Sequence, residues 1–308
     1  MLVSILMPMH NAQHYINETL DSIFDGEYQN IEVVIIDDGS TDDSLKIVKQ
    51  YNDSRIRVVS GERNGIAMAF NRALALADGQ LIMRCDADDL YATNRIFWQV
   101  AWLNKNLDYD GICSDFGVID EGGDIINGEL NDNLISGNIT GELKNGKVRT
   151  HFCTYCIKKN ILQSLNGCRE YFITAEDIDL QLRLGEVANI WYENRVSYLY
   201  RLHDTSITHT QQNSQRIFYE EIAKVFQKQR LSNGIDDLEY GDPPIGPQNQ
   251  EEKPNSAKEH IINMHHGMAW KLHRRKNKTQ ALRCLSKAFM LSPLNLTTWK
   301  YIVIIIVK

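Results

Sequence analysis

Val34-Ile35-Ile36-Asp37-Asp38-Gly39-Ser40-Thr41-Asp42 is the stretch on which the fold turns. An apolar run of strand length that breaks into two carboxylates, a glycine and hydroxyl residues reads as a strand buried on both faces, as in sheets covered by helices. The residues after it suit a helix start, and Ser40 and Asp43 stand at capping-box spacing. Outward from this stretch, strands are expected at Val3–Met7, Glu32–Asp37, Ile56–Val59, Gln80–Arg84 and Gly111–Ile119. Helical spacing lies between them at Ala12–Phe24, Asp42–Tyr51, Gly65–Ala77 and Ala92–Asn104. This alternation predicts an α/β chain with a mostly parallel central sheet flanked by helices. In such sheets ligand-binding groups gather at the carboxyl ends of strands, so chemistry is sought there.

The chain has 308 residues, 43% hydrophobic and 24% charged, which argues against a disordered or fibrous protein. It has no run of 18 apolar residues, so no helical membrane span is expected. Met1–Met7 lacks a basic leader and reads as a strand, so a cytoplasmic protein is expected. The six cysteines are too sparse for a disulfide scaffold and are expected to be reduced. Cys153 and Cys156 form a CxxC beside His151 in a stretch that alternates like a strand, and packing is the expected role.

Three boundaries follow from composition. Residues 1–231 read as one domain, with halves at 1–119 and 120–208 and a helix at 209–231. Asn131–Gly146 is polar and rich in Gly and Asn and is expected to be a mobile excursion. Residues 232–255 hold four of the six prolines and read as a linker or loop. Residues 256–308 read as a basic, helical region. From Lys258 to the end there are ten Lys/Arg against the single acid Glu259, a local +9 in a chain of net −7, leaving −16 for the rest. Such asymmetry points the tail at an acidic surface.

Asp86-Ala87-Asp88-Asp89 packs three carboxylates into four residues after the apolar Leu81-Ile82-Met83. That much like charge calls for a cation, and hard oxygen donors suit Mg²⁺ or Mn²⁺. Ala175-Glu176-Asp177-Ile178-Asp179-Leu180 opens an amphipathic stretch. Acids in a first helical turn are favoured by the helix dipole, and adjacent carboxylates at a cleft can also supply a general base. Tyr200-Arg201-Leu202-His203 brings together groups suited to a diphosphate or a metal.

Taken with Ser4–Asn11, Arg63-Asn64-Gly65, Asn71-Arg72-Ala73 to Gly79, and Gly167, the order and spacing of these motifs over residues 1–208 resemble the inverting glycosyltransferases of family 2, with the GT-A fold. The resemblance implies that Pro8, Met9 and Asn11 contact the nucleotide of a UDP-sugar, that Asp38 reads the uracil edge, and that Arg63 lies near base or phosphates. It implies Asp86 at the ribose or a metal-bound water, Asp88 as ligand to Mn²⁺ or Mg²⁺, and Arg201 and His203 facing diphosphate and metal. Asp177 would be the base and Glu176 a positioning or acceptor-binding group.

The chain departs from processive relatives, because Gln181-Leu182-Arg183-Leu184 lacks the Gln-x-x-Arg-Trp element. Transfer of one sugar is therefore expected, onto a glycan acceptor carried on a lipid. Gln181 also stands where relatives carry an aromatic, which leaves the acceptor pocket open. A Rossmann dehydrogenase is disfavoured because no Gly-x-Gly-x-x-Gly follows the first strand. A module that binds nucleotide-sugar or carbohydrate without catalysis is the remaining alternative. The basic tail with Trp299-Lys300-Tyr301 and Ile302–Val307 predicts peripheral attachment to an anionic membrane, on the cytoplasmic face of the inner membrane. Packing on the acidic body or pairing of two subunits are the alternatives for the tail. Nucleic acid is not expected as a partner.

Overall fold

The computed structural model describes residues 1–127, 135–203, 213–247 and 257–307. They form strands β1 (Val3–Met9), β2 (Ile31–Asp37), β3 (Ile56–Ser60), β4 (Leu81–Arg84), β5 (Leu90–Tyr91), β6 (Gly111–Ile119), β7 (Ile125–Asn127), β8 (Gly137–Asn138), β9 (Cys156–Lys158) and β10 (Ile190–Arg201). The helices are α1 (Ile16–Phe24), α2 (Ser44–Gln50), α3 (Ile66–Leu76), α4 (Arg95–Lys105), α5 (Thr140–Lys144), α6 (Lys159–Ser164), α7 (Glu176–Val187), α8 (Asn213–Asn233), α9 (Asp237–Tyr240), α10 (Ala257–Arg274), α11 (Lys278–Leu291) and α12 (Leu296–Val307).

Two compact units emerge. The described part of the first is 1–116, 135–199 and 214–247; that of the second is 117–127, 200–203, 213 and 257–307. In the first, β3-β2-β1-β4 are parallel neighbours, and β9, β6, β10 and β5 continue the order. β9 runs antiparallel to both β4 and β6. The sheet is thus parallel over half its path rather than mostly parallel, because apolar runs report burial on both faces and not strand direction. Alternate residues of the parallel strands serve opposite faces. Ile5, Met7, Val33, Ile35 and Met83 pack with Ile16, Leu20 and Ile96, whereas Leu6, Val34, Ile36 and Ile82 pack with Phe70, Ala73, Leu162 and Leu180.

Several local expectations give way to packing. Part of the 131–146 excursion is ordered: Ile139 and Leu143 are fully buried, and α5 lies on α7. Residues 131–134 of it lie outside the described residues. The CxxC is not one strand but a 3₁₀ turn, Phe152–Thr154, followed by β9. All six cysteines are free thiols, five of them buried, and burial pushes Cys156 up to about 12. Ser40 does not cap α2; the helix starts at Ser44, whose N–H donates to Asp42 Oδ1 at 3.0 Å. The first part of the expected linker is built into the first unit. Asp236 and Glu239 make a capping box at α9, Asp236 pairs with Arg169 and Arg230, and Tyr171 donates its hydroxyl to the Pro244 carbonyl at 2.5 Å. Residues 248–255 of that stretch are not described, and neither are 204–208 of the 120–208 half.

The loop before α7 is held by a reciprocal amide pair. Asn71 on α3 donates to the Cys168 carbonyl and accepts from its N–H, both at 2.8 Å. Gly167 makes this possible: φ is +67°, and a Cβ there would overlap the Asn71 amide oxygen. Gly167→Ala is therefore expected to cost about 1–3 kcal/mol in urea unfolding. An unchanged midpoint would show that the loop is not held this way.

In the second unit α10 and α11 pack on each other and on α12 around Ala269, Leu272, Ala281, Leu285 and Ile305. Lys287 pairs with Asp124 at 2.8 Å, tying α11 to the turn before β7. The helical region expected at 256–308 closes with α12, in which the apolar Ile302–Val307 continues the helix begun at Leu296.

Candidate active site

The carboxyl ends of β1, β2 and β4 lie side by side, with Met9 opposite Asp37 and Leu6 opposite Arg84. The loops that leave them are stitched together by side chains that also figured as donor contacts. Asn11, in the left-handed region at φ 51°, receives the Thr41 N–H on its amide oxygen at 2.8 Å, and its own N–H donates to Ser40 Oγ at 3.0 Å. Asp38 accepts from the N–H groups of Asn64 and Gly65 at 2.8 and 2.9 Å, while its own N–H donates to the Met9 carbonyl at 2.8 Å. Gly39 (φ +75°) lies where a Cβ would stand 3.3 Å from the Arg63 nitrogen, so the loop that carries Arg63 closes directly over it. Asp38 therefore anchors that loop, and Arg63 is presented exposed upon it. Pro8 and Met9 are buried strand residues, with the Met9 side chain in the core.

The centre of the site is Arg84, which the motif reading passed over. Its side chain is 4% exposed. Nε meets Asp86 Oδ1 at 2.7 Å, and Nη1 meets Glu176 Oε1 at 3.2 Å. Burial works against the guanidinium charge, but Asp86 and Glu176 outweigh it and hold Arg84 firmly protonated. Glu176 opens α7 after Ala175, which sits in the left-handed region without a side-chain cap. Burial lifts the Glu176 carboxyl to about 7, against the pull of Arg84, and neighbouring Asp177 adds to the rise. Asp177 is only half-buried, so of the two carboxylates it is the more accessible.

Beneath Asp86–Asp89 lies a polar frame. Tyr198 on β10 donates to Asp89 at 2.6 Å and accepts the Asp86 N–H at 3.1 Å, and Tyr91 donates to the Arg84 carbonyl at 3.0 Å. Asp89 is thereby a buried structural group, whereas Asp88 is partly exposed. His151, partly exposed with its ring 4.2 Å from Phe116, is another residue missed as a site candidate. Burial lowers its pKa, with Asp177 and Asp86 opposing. Asp179, fully buried between Arg169 and Arg183, holds α7 rather than doing chemistry. Arg201 and His203 belong to the second unit, where Arg201 donates to the Glu121 carbonyl at 3.0 Å.

A divalent ion was expected at Asp86–Asp88. Among the described residues no three His, Cys, Asp or Glu side chains converge as a ready-made cage. The available donors are carboxylate oxygens, which fit a hard ion that takes most of its ligands from phosphate and water.

A mixed α/β sheet whose strand ends gather carboxylates around a buried arginine, with a helix opening in Glu-Asp beside them, is the architecture of a GT-A glycosyltransferase. The chain belongs to glycosyl transferase family 2, whose family model matches residues 4–165, up to but not including Glu176 and Asp177. It is 34% identical over 212 residues to the putative glycosyltransferase EpsE of Bacillus subtilis, covering 66% of this chain and 73% of that one. It is 38% identical over 106 residues to the Escherichia coli UDP-Glc:alpha-D-GlcNAc-diphosphoundecaprenol beta-1,3-glucosyltransferase WfgD, covering 34% of this chain and 42% of that protein. It is 30% identical over 211 residues to E. coli chondroitin synthase, covering 67% of this chain and 30% of that longer protein. Among solved structures it resembles S. aureus TarS 1–349 in complex with UDP-GlcNAc, with a TM-score of 0.62 over 94% of this chain and 81% of that one; at 19% identity this is a likeness of fold.

The Glu176 carboxyl sets a signature in stability. Its folded-state pKa of about 7 lies above the ordinary 4.5, so between those values the folded chain keeps a proton that the unfolded chain has released. Stability from this group therefore falls as pH rises from about 4.5 to 7. Glu176→Gln should flatten that part of the pH–stability curve; a curve identical to wild type would place the proton elsewhere.

Proposed function

We propose that this enzyme moves one sugar from a UDP-sugar to a hydroxyl of a lipid-linked glycan acceptor, with inversion and assisted by Mn²⁺ or Mg²⁺. The observation that carries the reading is the Arg84 bridge, which joins the strand-end Asp86 to Glu176 beside Asp177. A donor-side group and an acceptor-side group are thereby held in one ion-paired cluster. Support for the donor comes from the UDP-GlcNAc in the TarS complex, and for the acceptor from the diphosphoundecaprenol named for WfgD.

In this mechanism the Asn11–Thr41 and Asp38–Asn64 hydrogen bonds fix the loops around the nucleotide, and Arg63 supplies positive charge at its edge. Asp88, with Asp86 beside it, would hold the ion, which supplies Lewis-acid stabilisation of the leaving diphosphate. Asp177 takes the proton of the acceptor hydroxyl as that oxygen attacks the anomeric carbon opposite the leaving group, so configuration inverts. Glu176, fixed by Arg84, keeps the first turn of α7 in place.

Asp177→Asn is expected to lower kcat by about 10²–10⁴ while UDP affinity stays within about twofold. Retention of a tenth or more of wild-type turnover would remove Asp177 as the base. Wild-type chain that binds UDP but transfers nothing to any lipid-linked acceptor would favour the non-catalytic module instead.

Asp88→Asn should abolish the gain in UDP affinity produced by Mn²⁺, read by calorimetry without turnover. UDP binding that is insensitive to Mn²⁺ in wild type, or equally sensitive in the variant, would overturn the assignment of Asp88.

A further inference from the structure

The second unit carries an apolar surface that sugar transfer does not use. Thr298 and Ile305 of α12 are buried, and Tyr301 and Ile302 pack into the core. Leu296, Trp299, Val303, Ile306 and Val307 are instead 47–83% exposed. At 100° per residue these five fall within an arc of about 120°, so they form a continuous stripe opposite the packed face. Seven of the 22 large hydrophobics exposed in the described residues lie between Met290 and Val307. That density marks a contact surface rather than the scatter of single apolar residues usual on a protein.

We propose that this stripe docks on an anionic phospholipid bilayer, with α12 lying in the plane of the interface. Charge complementarity selects that occupant. Lys300 is exposed at the edge of the stripe. The described part of this unit carries ten Lys/Arg against four Asp/Glu, and Arg274, Arg275, Lys276 and Lys278 are all exposed where α10 gives way to α11. A second copy would bring two such positive units together, whereas an anionic surface attracts them. Each basic residue near such a surface strengthens binding about fivefold. Trp299 suits the interface as well, since its indole N–H is already bonded to the Pro293 carbonyl at 2.9 Å while its ring is exposed. No helix among the described residues is long and apolar enough to cross a membrane, and an exposed apolar stripe along one side of α12 is the pattern of a helix that lies in the interface. The inference holds whichever sugar is moved, because it uses none of the transfer site.

The test is sedimentation of the full chain with phosphatidylglycerol vesicles and with phosphatidylcholine vesicles, alongside light scattering of the chain alone. Wild type should bind the anionic vesicles at least tenfold more tightly, and binding should weaken as salt rises above about 0.1 M. Val303→Asp with Ile306→Asp, both at exposed positions, should cost at least tenfold in vesicle affinity. Lys300→Glu should cost less, and Leu107→Asp, exposed in the first unit, should cost nothing. Wild-type binding by the double variant, or no vesicle binding by wild type, overturns the proposal. A dimer that the double variant breaks, without vesicle binding, would assign the stripe to a second copy.

Discussion

A single guanidinium, that of Arg84, is the constraint on which the site depends. It is buried, and a buried charge survives only when partners compensate its lost hydration. Here the partners are Asp86 on the loop leaving β4 and, 92 residues along the chain from Arg84, Glu176 at the start of α7. Removing one member of such a cluster leaves uncompensated charge, at a cost of about 3–5 kcal/mol in comparable buried pairs. The bridge therefore ties the start of α7 to β4 and the loop that leaves it, and sets their register. Its consequence reaches the chemistry: burial keeps Glu176 near neutrality in its titration, while Asp177 next to it stays accessible.

The rest of the first unit supports that constraint. From behind, Tyr198 and Tyr91 hold the 84–89 loop, and Arg95 stacks over the Tyr91 ring at 4.1 Å. From the other side, Asp179 binds Arg169 and Arg183, and Arg169 also reaches Asp236 in the Pro-rich stretch. The stretch that composition marks as a linker thus closes an ionic network under α7. Its prolines disfavour helix and strand, but they do not prevent a turn from delivering one carboxylate to two arginines.

Much of this was legible in the sequence for physical reasons. The strand ends at Asp37 and Arg84 could be read because apolar runs give way sharply to polar residues there, whereas β1 runs two residues past the expected Met7. The carboxylates Asp86, Asp88, Glu176 and Asp177 stood out by density. What escaped was long-range. Arg84 looks like an interruption in Leu81–Cys85, yet a charge inside a buried strand demands a partner, and that was the available signal. Asp38 and Asn11 were read as ligand contacts; their visible bonds go to neighbouring loops, which no local pattern reveals. The antiparallel half of the sheet was hidden for the same reason, since direction is decided by connections and not by the strand's own residues.

The central claim is that Arg84 and Glu176 act as one unit in transfer. A double-mutant cycle on kcat/KM with a UDP-sugar and a lipid-linked acceptor, using Arg84→Met, Glu176→Gln and the pair, measures this directly. The account predicts that the double variant is at least tenfold more active than the product of the two single losses, a coupling of about 1.4 kcal/mol or more. Independent, multiplicative losses would contradict it.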